Sequence, residues 1–116
     1  MFIRFSEPSR VRNLKCYCDR QNNDKIICTW IEPEYIYDPI QLYHVQLVNN
    51  EQIIHTHETP DKRFEWAGAL QHGGIYSIYV KAKTNIWGED ASTQFRYLKS
   101  GELHFLVKKK NTNISM

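Results

Sequence analysis

Apolar and polar positions alternate along this chain in short runs, the period-2 pattern of strands buried on one face. From Val11 to Cys18, the residues Leu14, Cys16 and Cys18 share a face, and the polar stretch Asp19 to Asp24 makes a turn. Lys25 to Ile31 follows, with Ile26, Cys28 and Trp30 aligned, and Pro33 cannot donate to a ladder and suits a strand end. Ile40 to Val48 aligns Tyr43, Val45 and Leu47 and closes at Asn49-Asn50. Gln52 to His57 reads as a short edge strand, and Thr59-Pro60-Asp61 turns the chain into Arg63 to Ala67, where Phe64 and Trp66 point the same way. Gly73-Gly74 introduces the longest run, Ile75 to Thr84, with Tyr76, Ile78, Val80 and Ala82 alternating. Gly88 sits in the next turn, and Ala91 to Leu98 supplies a seventh strand. Seven short strands with turn residues between them, and no convincing helix, predict an all-β Greek-key sandwich or a small barrel.

Composition narrows this picture. The chain has 116 residues, room for one domain, and no apolar run approaches the ~20 residues of a membrane span. Fifteen basic against thirteen acidic residues leave +2, which gives no ground for nucleic acid or for direct membrane contact. Seven Tyr, five Phe and three Trp favour pleated structure. Three cysteines allow one disulfide and leave one thiol over, which points to an oxidising compartment. Met1-Phe2-Ile3-Arg4-Phe5 is too short for a signal peptide, so the expected setting is the extracellular portion of a cell-surface membrane protein, present as a fragment without leader or span. Residues 1–7 are expected to be an N-terminal extension and 8–98 the domain. Residues 99–116 are expected to be a C-terminal extension in which Leu103, Phe105 and Val107 suit an extra strand or the start of a following module, before a basic and polar tail without fixed structure.

Several residues in order resemble the fibronectin type III family across roughly positions 8–98. They are Pro8 and Leu14 on the first strand, Trp30 then Pro33 on the second, and Tyr43-His44-Val45 on the third. Leu70, separated by five residues from another alternating set, Tyr76, Ile78 and Val80, is similar to the family's tyrosine corner and sixth strand. The resemblance implies a seven-stranded antiparallel immunoglobulin-like sandwich with Leu14, Trp30, Tyr43, Val45, Trp66, Leu70, Tyr76, Ile78 and Val80 in its core. Trp30 can fill the ~10 Å between two sheets, and Tyr76 can bury its ring while its hydroxyl caps a backbone carbonyl.

A narrower likeness lies in Asn13-Leu14-Lys15-Cys16 followed by Ile27-Cys28-Thr29-Trp30. It resembles the first module of the cytokine-binding pair in class I cytokine receptors, most of all the shared receptor of the interleukin-six group and its insect, Domeless-like counterparts. That resemblance implies a disulfide from Cys28 to one of the two earlier cysteines. Strand parity does not choose, because Cys16 and Cys18 face the same way. The Asn-Leu-x-Cys register favours Cys16, the reading taken, while the tighter spacing keeps Cys18 as the alternative. With three cysteines the family's second disulfide cannot form, and Trp-Ser-x-Trp-Ser, which belongs to the second module, is absent.

The function implied is non-catalytic: a protein-binding module that contributes to ligand binding and receptor signalling, with a cytokine-like ligand or neighbouring ectodomain modules as partners. The alternative is a spacer module of a cell-adhesion receptor or receptor tyrosine phosphatase. In the receptor family the loop before the sixth strand grips ligand, which carries the role onto His72, although Gln71-His72-Gly73-Gly74 lacks the family's large apolar contact residue. Trp87, in a loop with no obvious core partner, is a second ligand-binding candidate. No cofactor is expected. His55-Thr56-His57 puts two imidazoles on one strand face at a chelating spacing, but with no third ligand nearby the expectation is edge-strand polarity and no metal. No nucleophile motif, phosphate loop or paired-carboxylate spacing supports catalysis. A cytosolic enzyme using Cys18 would need an exposed, low-pKa thiol beside a His. Lys108 to Lys110 is too short for a nucleic-acid tract, and Asn113-Ile114-Ser115 is a glycosylation acceptor in a secreted chain.

Overall fold

The computed structural model describes residues 7–20, 25–68, 70–99 and 102–106. Expectations for residues 1–6, the 21–24 turn, Val107, the basic run 108–110 and the Asn113 acceptor lie outside the described residues. The strands are β1 (Arg12–Asp19), β2 (Lys25–Ile31), β3 (Leu42–Asn49), β4 (Gln52–Thr59), β5 (Arg63–Trp66), β6 (Ile75–Lys83), β7 (Ala91–Tyr97) and β8 (Leu103–Phe105). They form two antiparallel sheets, ordered β1-β2-β5 and β4-β3-β6-β7-β8. β4 takes the edge position that its polar sequence suggested. An eighth strand lies beyond residue 98, pairing Phe95 with Phe105 and Tyr97 with Leu103.

Each strand forms because its alternate residues meet across the sandwich. Trp30, Tyr43, Val45, Tyr76, Ile78 and Val80 are buried, and Leu14, Trp66 and Leu70 pack against them from partly exposed positions. Ile26, Leu47, Phe64 and Phe95 join the same core. Trp30 and Tyr43, one from each sheet, meet edge to face with ring centroids 5.5 Å apart, an arrangement that adds attraction beyond area burial.

Two backbone details set the registers. Asn13 has φ 52 where the β1–β2 register shifts between Arg12 and Lys15, so one extra residue of β1 is accommodated opposite Trp30. This left-handed bulge replaces the simple Leu14–Trp30 facing that unbroken alternation implies. Asn50 and Glu51 both take positive φ between Asn49 and Gln52, the two-residue turn whose twist matches a hairpin.

One burial departs from the alternation. Ile27 faces away from the core yet is only 2% exposed. Its cross-strand neighbours Tyr17 and Glu65 flank it, and Glu65 binds both Arg63, at 2.8 Å, and Lys25, at 3.5 Å. Aromatic surface and long ion-paired side chains therefore roof an apolar residue on the outer face.

Candidate recognition surfaces at the two ends of the sandwich

The disulfide lies on the core side of the first hairpin. Cys16 is bonded to Cys28, directly opposite it in the β1–β2 register. Cys18 sits opposite Ile26, half-buried against the core, and takes no part in the bond. The bond closes a short loop two residues before Trp30 on β2, so it ties the hairpin beside the residue that fills the middle of the sandwich.

His72 and Trp87 are not brought together. His72 precedes β6 and Trp87 follows it, so they lie at opposite ends, separated by the ~30 Å that a nine-residue strand spans. His72 is exposed, and its Nδ1 accepts the Lys99 N–H at 2.8 Å. Beside it, Gly73 N–H donates to the Tyr97 carbonyl at 2.7 Å and Tyr97 N–H to the Gly74 carbonyl at 2.9 Å. Gly73 has φ 81, a conformation open to glycine. These bonds fix the β5–β6 loop to the exit of β7. The Tyr76 hydroxyl braces the same loop, but as an acceptor of the Gln71 N–H at 2.8 Å rather than the donor to a carbonyl that the resemblance implied. A hydroxyl oxygen can do either, and the loop turns an amide toward it.

Trp87 folds back onto the outer face of the five-stranded sheet. Lys83 pairs with it in an isolated bridge, and the ammonium groups of Lys81 and Lys83 lie 4.7 and 5.0 Å from its ring centroid. His44 meets the ring edge-on at 5.4 Å and binds Glu58 at 3.2 Å. Two lysine stems and an imidazole thus sequester much of the indole. Gly88 makes this return possible, since a Cβ there would stand 2.6 Å from the Pro8 carbonyl oxygen.

At the sandwich's open edge, His55 and His57 turn toward β5. Their rings stack 6.2 Å apart, His55 lies 4.7 Å from the Trp66 ring, and His57 lies 5.7 Å from Phe64. His57 stays exposed on the edge strand, while His55 is half-buried against the Trp66 and Phe64 rings. Among the described residues no group of three or more His, Cys, Asp or Glu is placed to hold a metal ion.

The hydrogen bond from Arg63 holds the exposed Glu65 carboxyl below its usual value and in turn raises the Arg63 guanidinium. Burial, assisted by the charge of Glu32, pushes the Tyr43 phenol up.

The feature that sequence reading passed over is the β2–β3 loop. Tyr35, Ile36 and Tyr37 are exposed there, with Tyr35 at 64% and Tyr37 at 74%. The consecutive apolar residues Tyr35-Ile36-Tyr37 show no alternation to say which way they face, but Pro33 and Pro39 on either side exclude an extended ladder.

Comparison with solved structures bears on the architecture. The chain superposes on domains d3-d4 of the rat CD45 extracellular region with a TM-score of 0.67 at 17% identity, covering 78% of this chain and 50% of that one. The fold is that of a fibronectin type III domain. The sixth fibronectin type III domain of human fibronectin type III domain containing protein 3 matches with a TM-score of 0.60 at 15% identity, over 78% of this chain and 87% of the domain. The twitchin kinase region of C. elegans matches with a TM-score of 0.58 at 12% identity, over 85% of this chain and 20% of that one. The chain thus spans half the length of the CD45 fragment. No family model matches the sequence, and no curated protein is significantly similar to it. At such identities the likeness establishes the fibronectin type III fold and leaves function to the surfaces.

Proposed function

We propose that this module is a non-catalytic, extracellular protein-binding domain of a cytokine-receptor-like ectodomain. The single observation that carries the reading is the Cys16–Cys28 bond across the hairpin that bears Trp30. A sandwich with this much core does not need a disulfide to fold, so its presence fits a chain that matures in an oxidising compartment. Among the described residues no helix is long and apolar enough to cross a membrane. Fibronectin type III-like modules bind through loops held on a rigid frame, and here both end loops are fixed by hydrogen bonds to neighbouring strands. In this reading His72 contributes to the contact at the β5–β6 end, and Trp87, with the Lys81 and Lys83 ammonium groups over its ring, shapes the opposite one.

The test is binding, made with the module joined to the segment that follows it in its parent protein. Secreted helix-bundle proteins from the same organism are passed over it in a biosensor. Saturable binding, weakened when Cys16 and Cys28 are replaced by Ser, supports the receptor reading. Absence of binding across the set, from a protein whose disulfide is intact by mass spectrometry, returns the module to the spacer role.

A further inference from the structure

We propose that the β2–β3 loop is a preorganised recognition tip, in which Tyr35, Ile36 and Tyr37 dock on an apolar patch rimmed by Lys or Arg on a separate protein. This rests on the protein-binding reading above and assigns it a surface and a partner chemistry.

Three observations carry the inference. The first is exposure: Tyr35, Ile36 and Tyr37 are consecutive and all exposed, and Ile31 at the end of β2 is 42% exposed. Aromatic side chains so placed supply most of the energy of protein contacts when a partner covers them.

The second is that the loop is held in place. Ser9 N–H donates to the Tyr35 carbonyl at 3.1 Å, and Tyr35 N–H donates to the Ser9 hydroxyl at 3.1 Å. The Arg12 guanidinium donates to the Glu32 carbonyl at 3.0 Å, and Pro33 is buried. At the loop's other end the Gln41 side-chain amide binds the Asn85 side chain at 3.2 Å, and Gln41 N–H donates to the Lys83 carbonyl at 2.7 Å. The backbone is anchored on both sides of the exposed rings, so a partner meets a loop whose ordering cost is already met.

The third is charge. Between Ile31 and Ile40 the loop carries Glu32, Glu34 and Asp38 and no basic side chain. All three carboxylates are exposed. Glu89 and Asp90 stand on the adjacent β6–β7 loop, where Arg10 pairs with Glu89 at 3.4 Å. Arg10 and Arg12 reach these loops as well, but against Glu32, Glu34, Asp38, Glu89 and Asp90 they leave the surroundings of the rings net acidic, on a chain of formal charge +2. Such a setting is complementary to a basic rim and is repelled by anionic lipid, which separates a protein partner from a membrane surface.

The experiment uses the whole 116-residue chain, isotope-labelled, titrated with three synthetic twelve-residue peptides and with phosphatidylserine vesicles. The peptides alternate Arg with Leu, Glu with Leu, and Arg with Ser. The proposal expects the Arg-Leu peptide alone to bind, with amide shifts confined to residues 32–38. Tyr35→Ser with Tyr37→Ser should weaken it roughly tenfold or more, and Glu34→Lys with Asp38→Lys should weaken it several-fold. Both pairs are exposed, so their melting temperatures should stay near that of the parent. Ser9→Ala, which frees the Tyr35 amide, should slow association without altering the preference among peptides.

Equal binding of the Glu-Leu peptide, shifts centred elsewhere, vesicle binding, or no binding at all would overturn the proposal. So would self-association of the chain that the Tyr35 and Tyr37 changes abolish, because a second copy would then be the occupant. A chain lacking residues 1–6 settles whether that segment itself covers the tip: altered amide positions at 32–38 on its removal count against an external partner. If a partner binds and His72→Ala weakens it while the tyrosine changes do not, the protein-binding reading stands and this inference fails.

Discussion

Trp30 is the largest side chain in the middle of the sandwich, 4% exposed, with its ring against Tyr43. Its indole N–H is buried and finds no acceptor among the described residues, so packing alone holds it. Trp30→Ala should cost about 3–5 kcal/mol through the cavity it opens. Trp30→Phe should cost clearly less than that, because it also removes an unpaired donor worth about 1–3 kcal/mol. Urea denaturation of both variants checks the order, and equal losses would show that the N–H is satisfied in solution. Tyr43, its neighbour, has a phenol raised first by burial and then by the Glu32 charge. The folded state keeps this proton to a higher pH than the unfolded chain does. The contribution is therefore whole below the ordinary value of 10.0 and is lost as pH climbs through the folded one. Stability of the parent should fall more steeply above pH 10 than that of Tyr43→Phe, measured as the difference between their urea midpoints at pH 9 and pH 11.

At the scale of elements, the hairpin of β1 and β2 concentrates what distinguishes this sandwich. The disulfide closes a loop with a sequence separation of 12. The chain-entropy model assigns about 3 kcal/mol to a loop of this length. Cys16→Ser with Cys28→Ser should remove about that much and leave the fold intact, as judged by the denaturation midpoint and an unchanged far-ultraviolet circular dichroism spectrum. The seven main strands were legible because period-2 burial is written directly into the sequence. Only their ends shift, as where β3 begins at Leu42 and β4 runs on to Thr59 through pairing with Tyr43. The bulge at Asn13 was not legible, since an Asn tolerates a left-handed φ without requiring one and the extra residue shows only in the β1–β2 register. Nor was the burial of Ile27, which depends on Tyr17, Glu65 and Arg63 closing over it from two other strands. Alternation reports which residues share a face, but the cover on that face is a tertiary fact. The same limit applies to the candidate sites. His72 and Trp87 were visible as loop residues, while their engagement with Lys99 N–H and with two lysine stems is long-range. Tyr35 to Tyr37 stayed hidden because a short aromatic run reads as core until the fold leaves it outside.

For the whole molecule the question is where the domain ends. The family resemblance stops near Leu98, yet β8 lies beyond it and lengthens the five-stranded sheet. Leu98 N–H donates to the Glu102 carbonyl at 3.0 Å, which turns the chain back, and Leu106 N–H donates to the Gln94 carbonyl at 2.8 Å. Leu103 packs against the core, and Phe105 meets the fully buried Phe95 at 6.1 Å between centroids. A sandwich cut at residue 98 therefore loses apolar cover over Phe95 and Tyr97 and leaves β7 as an open edge. The lost burial of one leucine and part of one phenylalanine predicts a destabilisation of about 2–3 kcal/mol. An unpaired β7 edge adds a tendency to self-associate that rises with protein concentration. A truncation after Leu98, compared with one after Leu106, separates these effects from any role of the later residues. The shorter chain should melt earlier and sediment as larger species, and the longer one should match the parent. Equal stability of the two truncations would mean that β8 merely rests on the sheet. The unequal outcome would make it a part of the sandwich, and the unit that carries the end loops would then reach at least to residue 106.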